Sequence, residues 1–191
     1  MDGWKRRVLE DMGVSEYVEL GLGEVILLLA ALDGKPLLGL ESLHLMLFLY
    51  PYVDSGERLL FLAPYSAKAE RELLRLEREG LITRRSGRVD GRLRVILVAT
   101  QRGGERSKTL AARLRRGYAV FGGFAVRRGA EVLDELAALK RVYNGLGFVE
   151  AGVRIASLIL AGDERVVSRF STEELPALRL YAKAFLEELK G

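Results

Sequence analysis

The residues of this chain that suggest chemistry are cations concentrated in one segment. Between Arg84 and Arg116 there are eleven Lys and Arg residues and two acids, which gives the segment a charge of 11 − 2 = +9. The whole chain carries +4, so the remainder carries 4 − 9 = −5. Dense charge of one sign in a folded domain is typical of a surface that binds a polyanion. The alternative is a solvated, arginine-rich surface without a ligand.

No combination of residues in the sequence indicates catalysis. The chain has no cysteine and a single histidine, His44, which excludes disulfides and thiolate sites and argues against a histidine zinc site. His44 lies in an apolar segment, as core histidines do. Ser66 precedes a helical pattern and suits a helix cap rather than a nucleophile. We therefore predict that the protein is not an enzyme and uses no metal or cofactor.

A helix and a hairpin must position the cations. Ser66 is a natural N-cap, and Ala69, Leu73 and Leu76 recur at helical spacing behind it. Gly80 is well placed as the left-handed residue that ends a helix. The sequence thus predicts a helix from about residue 66 to Gly80.

The hairpin follows directly. Residues 81–89 and 92–99 have strand character, and the second segment alternates between apolar and other residues. Asp90-Gly91 between them is a preferred two-residue turn, because both central positions need positive φ. A turn at Ser86-Gly87 is the competing register. In either register, arginines lie close to the turn.

Apolar periodicity predicts the remaining elements. Helices are predicted at residues 4–12, 24–32, 40–49, 107–118, 131–143, 149–160 and 171–189. One further short strand is predicted at residues 59–62. The expected fold is therefore mostly α with a small β-hairpin.

One stretch resembles a known class of fold. Residues 63–85, APYSAKAERELLRLEREGLITRR, resemble winged helix-turn-helix proteins in which a helix is followed by L-x-x-x-G-L-I and a wing. The closing strand ILVATQRG, residues 96–103, is similar to the L-T-x-x-G ending of many such wings, through Thr100 and Gly103. The PYS start and the segment LHLMLFLYPYV are similar to a prokaryotic winged-helix group related to the YwgA family. The resemblance covers roughly residues 20–115.

The resemblance implies a division of the chain and a nucleic-acid ligand. Residues 1–116 would form a winged helix-turn-helix domain with an N-terminal helix, and residues 117–191 a helical C-terminal region. In such domains the third helix enters the major groove and the wing contacts phosphate. The predicted contacts with double-stranded DNA are Lys68, Arg71, Arg75, Arg78, Arg84, Arg85, Arg88, Arg92 and Arg94. Four glutamates share the helix, so a surface helix with internal ion pairs is the alternative.

The final helix suggests a partner. Its apolar stripe consists of Leu175, Leu178, Ala182, Phe185 and Leu189. We predict that this stripe forms a homodimer, the alternative being that it packs on its own domain. The predicted function is DNA binding by a transcriptional regulator. A protein-interaction module is the alternative, and a nucleic-acid enzyme ranks last because the basic segment lacks clustered carboxylates.

Composition also bears on location. The N-terminus has no apolar core of signal-peptide length, and each half of the interrupted apolar stretch from Val25 to Leu49 is too short to cross a bilayer. We therefore predict a cytoplasmic protein without a membrane partner. Arginine and glutamate are enriched, and Gln101 and Asn144 are the only residues of their kinds. This composition is typical of thermophilic proteins.

Overall fold

The computed structural model describes residues 3–122 and 124–189. Its helices are α1 (Gly3–Asp11), α2 (Leu22–Ala31), α3 (Leu40–Leu49), α4 (Ala67–Arg78), α5 (Gln101–Arg116), α6 (Gly129–Tyr143), α7 (Phe148–Ala161), α8 (Glu164–Val167) and α9 (Glu174–Glu188). Its strands are β1 (Tyr17–Leu20), β2 (Leu37–Leu38), β3 (Arg58–Leu60), β4 (Ala63–Tyr65), β5 (Ile82–Val89), β6 (Arg92–Ala99), β7 (Tyr118–Phe121) and β8 (Val126–Arg128).

The fold is mixed α/β, and the prediction of a mostly α protein with one hairpin is wrong. Helix accounts for 56% and strand for 19% of the described residues, whose strands form three small sheets. The strands that sequence analysis missed have two to four residues. So few positions give too short an alternation of apolar and polar residues to be recognised.

The hairpin of β5 and β6 confirms the predicted turn at Asp90-Gly91. Val89 pairs with Arg92, and both turn residues have positive φ, 51° and 77°. The competing turn at Ser86-Gly87 does not form, because Ser86 lies inside the ladder opposite Val95. Strand β2 adds to the other edge of β6, which gives a three-stranded sheet in the order β2-β6-β5.

Helix α5 begins six residues earlier than predicted, at Gln101 rather than Ser107. The Thr100 side chain caps it by accepting a hydrogen bond from the Gly103 amide, 3.0 Å away. A Cβ atom at Gly103 would stand 1.9 Å from the Leu81 carbonyl oxygen, so only glycine permits this approach. The T-x-x-G sequence therefore joins the end of the hairpin to the start of a helix.

A second sheet joins distant parts of the chain. Strand β1 runs parallel to β7, with Tyr17 opposite Tyr118, and β7 pairs antiparallel with β8. Residue 118, predicted as the end of a helix, is the first residue of this central strand. The third sheet is the β3–β4 hairpin between α3 and α4, where sequence analysis predicted one short strand.

One continuous apolar core serves both predicted regions of the chain. Helices α2 and α3 are buried on almost every side. The same core includes Leu136 of α6, Ile155 of α7 and Ala182 of α9. Residues on either side of position 116 thus share a single packed interior.

No single helix among the described residues is both long and apolar enough to cross a bilayer. Helices α6 and α7 together pass by length and composition, but they are bent by 117° at the break between them.

Candidate nucleic-acid interface

Helix α4 has a buried face and an opposite, outward face. Ser66 caps the helix by accepting a hydrogen bond from the Ala69 amide, at 2.9 Å. Ala69, Leu73 and Leu76 are buried in the core. At 100° per residue, the positions opposite this buried face are Ala67, Arg71, Leu74 and Arg78. All four are exposed, and both arginines are without an ion pair to any residue that the structure describes.

On one flank of α4, the acids form ion pairs with an arginine of the same helix. Arg75 contacts Glu72 at 2.6 Å and also bonds Glu79. The hydrogen bonds that Arg75 donates to Glu72, together with the negative charges of Glu72 and Glu79, raise the pKa of Arg75 above its usual value. Both acids therefore lie beside the outward face and are neutralised by an arginine of the same helix.

On the other flank, the acids form ion pairs with an arginine of the hairpin. Arg84 of β5 contacts Glu77 at 3.3 Å and Glu70 at 3.6 Å. Glu70 also lies 3.2 Å from Nε2 of His44, whose Nδ1 accepts a hydrogen bond from the Ser66 amide. The His44 hydrogen bond, and then the Arg84 charge, hold the pKa of Glu70 below its usual value.

The ion pairs account for the four glutamates that sequence analysis counted in this helix. The three glutamates of α4 and the glutamate at its C-cap lie on the flanks of the helix, and each forms an ion pair with an arginine. The outward stripe of Ala67, Arg71, Leu74 and Arg78 contains no acid. A polyanion that approached this stripe would meet guanidinium groups and one leucine.

The arginines of the hairpin also fall into two groups, those that are exposed without an ion pair and those that contact other parts of the chain. Arg85 and Arg88 are exposed and make no ion pair within residues 3–122 and 124–189. Arg92 contacts Glu150 of α7 at 2.6 Å. Arg94 is half-buried, and its guanidinium lies within 4 Å of the position of a Cβ atom at Gly147, the N-cap of α7.

Glu150 ties this side of the hairpin to α7. It accepts a hydrogen bond from the Gly147 amide at 3.1 Å while it contacts Arg92. Its own backbone amide, then Arg92 and Arg94, keep the pKa of Glu150 below its usual value. Arg92 and Arg94 therefore anchor the hairpin to the C-terminal helices.

The nine predicted DNA contacts thus separate into two groups. Four are exposed and lack an ion pair among the described residues: Arg71, Arg78, Arg85 and Arg88. The others contact acids or lie partly buried: Lys68, which meets Asp54 at 2.8 Å, Arg75, Arg84, Arg92 and Arg94. The partners of Lys68 and Arg92 lie 14 and 58 residues away in sequence, so only the fold brings them together.

Cations of α5 extend the basic surface, although sequence analysis did not assign them to the site. Arg102 donates to the carbonyl oxygen of Glu79, at the end of α4, over 3.2 Å. Arg106 lies 3.7 Å from the Glu79 carboxylate. The positive charge of the segment from Arg84 to Arg116 indicated that these residues could belong to a basic surface. Their position beside α4 depends on the start of α5, which the Thr100 cap fixes.

The apolar stripe of α9, predicted as a dimer contact, faces the chain's own core. Ala182 is fully buried, and Leu178 and Phe185 pack against the core. A Cβ atom at Gly152 of α7 would lie 3.2 Å from the Phe185 ring, so the two helices are in close contact. Leu175 is half-buried, and Leu189 is half-exposed at the end of the stripe.

Comparison with known proteins adds no assignment. No family model, curated protein or solved structure matches this chain. No group of three or more potential metal-ligating side chains occurs in the part of the chain that the structure describes. The function is therefore argued from the residues and their positions.

Proposed function

We propose that this protein is a winged-helix protein that binds duplex DNA and acts as a transcriptional regulator. The elements α2, β2, α3, α4, β5 and β6 follow the order of a winged helix, with the β3–β4 hairpin inserted between α3 and α4. The sheet order β2-β6-β5 also supports this comparison. In such a domain α4 is the recognition helix and the β5–β6 hairpin is the wing.

The outward face of α4 is the observation that carries the proposal. Arg71 and Arg78 are seven residues apart, about 10 Å along the helix axis, which spans roughly three base pairs. The major groove is wide enough to hold an α-helix, and arginine is the side chain that most often recognises guanine there. We propose that Arg85 and Arg88 of the wing, which are exposed, contact phosphate, which gives affinity and register.

The proposal includes a homodimer that reads two half-sites. Because the buried part of the α9 stripe is covered by α7 of the same chain, we propose that the dimer contact uses other residues. Leu180 and Tyr181 remain exposed on the outer side of α9.

The test is binding of the full chain to duplex DNA across a series of salt concentrations. Each phosphate contact contributes a slope of about −0.9 to the dependence of log affinity on log salt. We expect the combined variant Arg71→Ala, Arg78→Ala, Arg85→Ala and Arg88→Ala to bind at least about 100-fold more weakly at low salt and with a shallower slope.

The matched control removes four exposed arginines elsewhere: Arg6, Arg7, Arg141 and Arg179. It changes the net charge by the same amount, so non-specific attraction falls equally in both variants. If the control variant loses as much affinity as the first variant, binding is not localised to α4 and the wing. Absence of salt-dependent binding by the unaltered protein would reject the proposal.

A protein-interaction module is the second candidate, and one surface favours it. Leu93 of the wing is 77% exposed. It lines a cleft of about 670 Å³ together with the exposed Phe148 and Val149 of α7. Apolar side chains clustered at a surface are typical of protein contacts. A protein that binds no DNA at any salt concentration, but whose solution mass falls on Leu93→Asp substitution, would support this candidate.

A further inference from the structure

The cleft that Leu93 lines lies between strand β6, the start of α3 and the start of α7. Its volume is about 670 Å³, within the range of small-molecule sites. Six of its eleven lining residues have apolar side chains, four have charged side chains and one is a glycine. The cleft therefore combines apolar walls with a small number of charged groups, as ligand sites do.

Two of the four charged side chains compensate for each other. Arg92 contacts Glu150 at 2.6 Å. The other two, Glu41 and Arg94, make no side-chain hydrogen bond or ion pair with any residue that the structure describes. The charge of Arg94 acts on Glu150 without an ion pair between them. The cleft thus contains one carboxylate and one guanidinium group that lack a partner among the described residues.

Both of these groups can be reached from the cleft. Glu41 and Arg94 are half-buried. Within the Arg94 guanidinium group only Nε is a buried atom without a partner, so the terminal Nη1 and Nη2 atoms remain accessible. They lie 3.7 Å from the position of a Cβ atom at Gly147, which also lines the cleft. Neither carboxylate oxygen of Glu41 is a buried atom without a partner, so this group is accessible too.

The fold brings the two groups to one short segment of the chain. The Gly39 amide donates to a carbonyl oxygen of β6 over 2.8 Å, which joins the start of α3 to the strand that carries Arg94. A Cβ atom at Gly39 would lie 3.1 Å from Oε2 of Glu41 and 3.5 Å from the Leu146 carbonyl oxygen. Glu41 therefore lies beside Leu146, and Arg94 lies beside Gly147, the next residue.

The two charges and the apolar walls together specify a class of ligand. Charged groups that are half-buried lose part of their hydration and gain nothing in return unless a counter-charge is present. An apolar surface would compensate for neither group, and a ligand with a single charge would compensate for only one. A zwitterion compensates for both. Leu93 is 77% exposed, and the exposed Phe148 and Val149 lie in the same cleft, so an apolar group on the ligand would also be covered.

We propose that this cleft binds a free α-amino acid with a large apolar side chain. The carboxylate of the amino acid pairs with the terminal nitrogen atoms of Arg94, and its ammonium group pairs with Glu41. The side chain of the amino acid packs against Leu93, Phe148 and Val149. None of the four exposed arginines of the candidate DNA interface lines this cleft, and the inference does not depend on DNA binding.

The test is calorimetry on the full chain with five probes. L-Leucine and L-phenylalanine have the proposed chemistry. 3-Methylbutylamine is leucine without the carboxylate, 4-methylpentanoate is leucine without the ammonium group, and glycine lacks the side chain. We expect each of the first two probes to bind one molecule per chain. The three partial probes should bind at least about ten-fold more weakly than L-leucine, because each loses a charge-assisted contact or the apolar contact.

Two variants assign the charged contacts. Arg94→Gln should lower the affinity for L-leucine to about that for 3-methylbutylamine, without weakening the binding of 3-methylbutylamine itself. Glu41→Gln should lower the affinity for L-leucine to about that for 4-methylpentanoate, without weakening the binding of 4-methylpentanoate. Damage to the fold would instead weaken every probe. Arg141→Gln and Glu10→Gln, at exposed positions outside the cleft, should change the affinity for none of the probes.

The inference is overturned if neither L-leucine nor L-phenylalanine shows saturable binding to the unaltered protein. Binding of 3-methylbutylamine or 4-methylpentanoate as tightly as L-leucine would show that only one charge is recognised, and would reject a zwitterionic ligand. Unchanged affinity of Arg94→Gln or Glu41→Gln for L-leucine would place the binding site outside this cleft.

Discussion

Helices α4 and α9 are both amphipathic, and each carries a stripe that sequence analysis predicted as an interface. The α4 stripe is exposed at Arg71 and Arg78, whereas the α9 stripe is buried at Ala182. The difference follows from the chemistry of the stripes. Guanidinium groups remain in water unless an acid compensates for their burial, while an apolar stripe gains free energy by covering any available apolar surface. The nearest such surface belongs to the same chain.

Within the basic region a second difference appears between neighbouring residues. Arg84 and Arg85 are adjacent on β5, so their side chains point to opposite faces. Arg84 meets Glu70 and Glu77, and Arg85 is exposed. Charge alone therefore does not identify an interface residue, because acids of another element form ion pairs with one arginine and not with its neighbour.

The largest predicted effect concerns α9. Ala182→Asp places a carboxylate in the core, where it has no room or partner, and should lower the free energy of unfolding by at least about 3 kcal/mol. Ala184→Asp, an exposed position on the same helix, should change it by less than about 0.5 kcal/mol. Urea denaturation measures both values. A stable Ala182→Asp variant with an altered solution mass would instead place the stripe between two copies of the chain.

The second prediction separates the adjacent arginines. Arg84→Ala leaves Glu70 and Glu77 without their cation and should lower the free energy of unfolding by about 1–3 kcal/mol. Arg85→Ala should be close to neutral for stability but should weaken DNA binding and reduce the salt slope by about one. Denaturation and DNA titration of both variants provide the comparison. Equal effects on stability would mean that the Arg84 ion pairs contribute little.

The third prediction concerns the pH dependence of the Glu70 contacts. The pKa of Glu70 is lowered from 4.5 by His44 and Arg84, so its ionised form is stabilised by folding. This contribution is fully present above the unfolded value of 4.5 and is lost as the pH falls through the lower folded value. The stability difference between the unaltered protein and Glu70→Gln should therefore shrink as the pH falls below 4.5 and through the lower folded pKa.

A matched substitution at an exposed acid, Glu10→Gln, serves as the control for this measurement. Its stability relative to the unaltered protein should vary less across the same range. A difference for Glu70→Gln that stays constant with pH would contradict the proposed role of the ion pair.

The smallest predicted effect tests whether α4 reads bases. Leu74 lies between Arg71 and Arg78 on the outward face, and an apolar side chain in the major groove can contact the methyl group of thymine. Leu74→Ala should weaken binding to a selected duplex by about 1 kcal/mol. Replacing thymine by deoxyuridine should weaken the unaltered protein similarly and the variant hardly at all. Equal sensitivity of both proteins to deoxyuridine would remove Leu74 from the base contacts.

Features that depend on neighbouring residues were predicted well. The Ser66 cap, the end of α4 near the left-handed Gly80 and the Asp90-Gly91 turn were all predicted from a few adjacent residues. Features that depend on distant residues were missed. Tyr17 and Tyr118 pair across two strands of four residues, and neither strand carries a local signal strong enough to predict that contact.

The start of α5 was predicted wrongly because of two glycines whose role depends on a distant residue. Gly103 and Gly104 normally weaken a helix, so the helix was expected to begin after them. In the fold, Gly103 allows the first turn of α5 to touch the Leu81 carbonyl, and this contact defines the start of the helix. The residue was informative, but its meaning depended on a neighbour 22 positions earlier in the chain.

The sequence by itself determined the basic hairpin, the amphipathic character of α4 and the absence of thiol chemistry, because these follow from residue type and local spacing. Only the tertiary structure decided which arginines form ion pairs with acids of other elements, since Glu70 and Glu77 meet Arg84, and Glu150 meets Arg92, through packing of separate elements. It also decided that α9 turns its apolar stripe inward. Burial is a property of the whole fold, because the free energy of removing a side chain from water depends on what covers it.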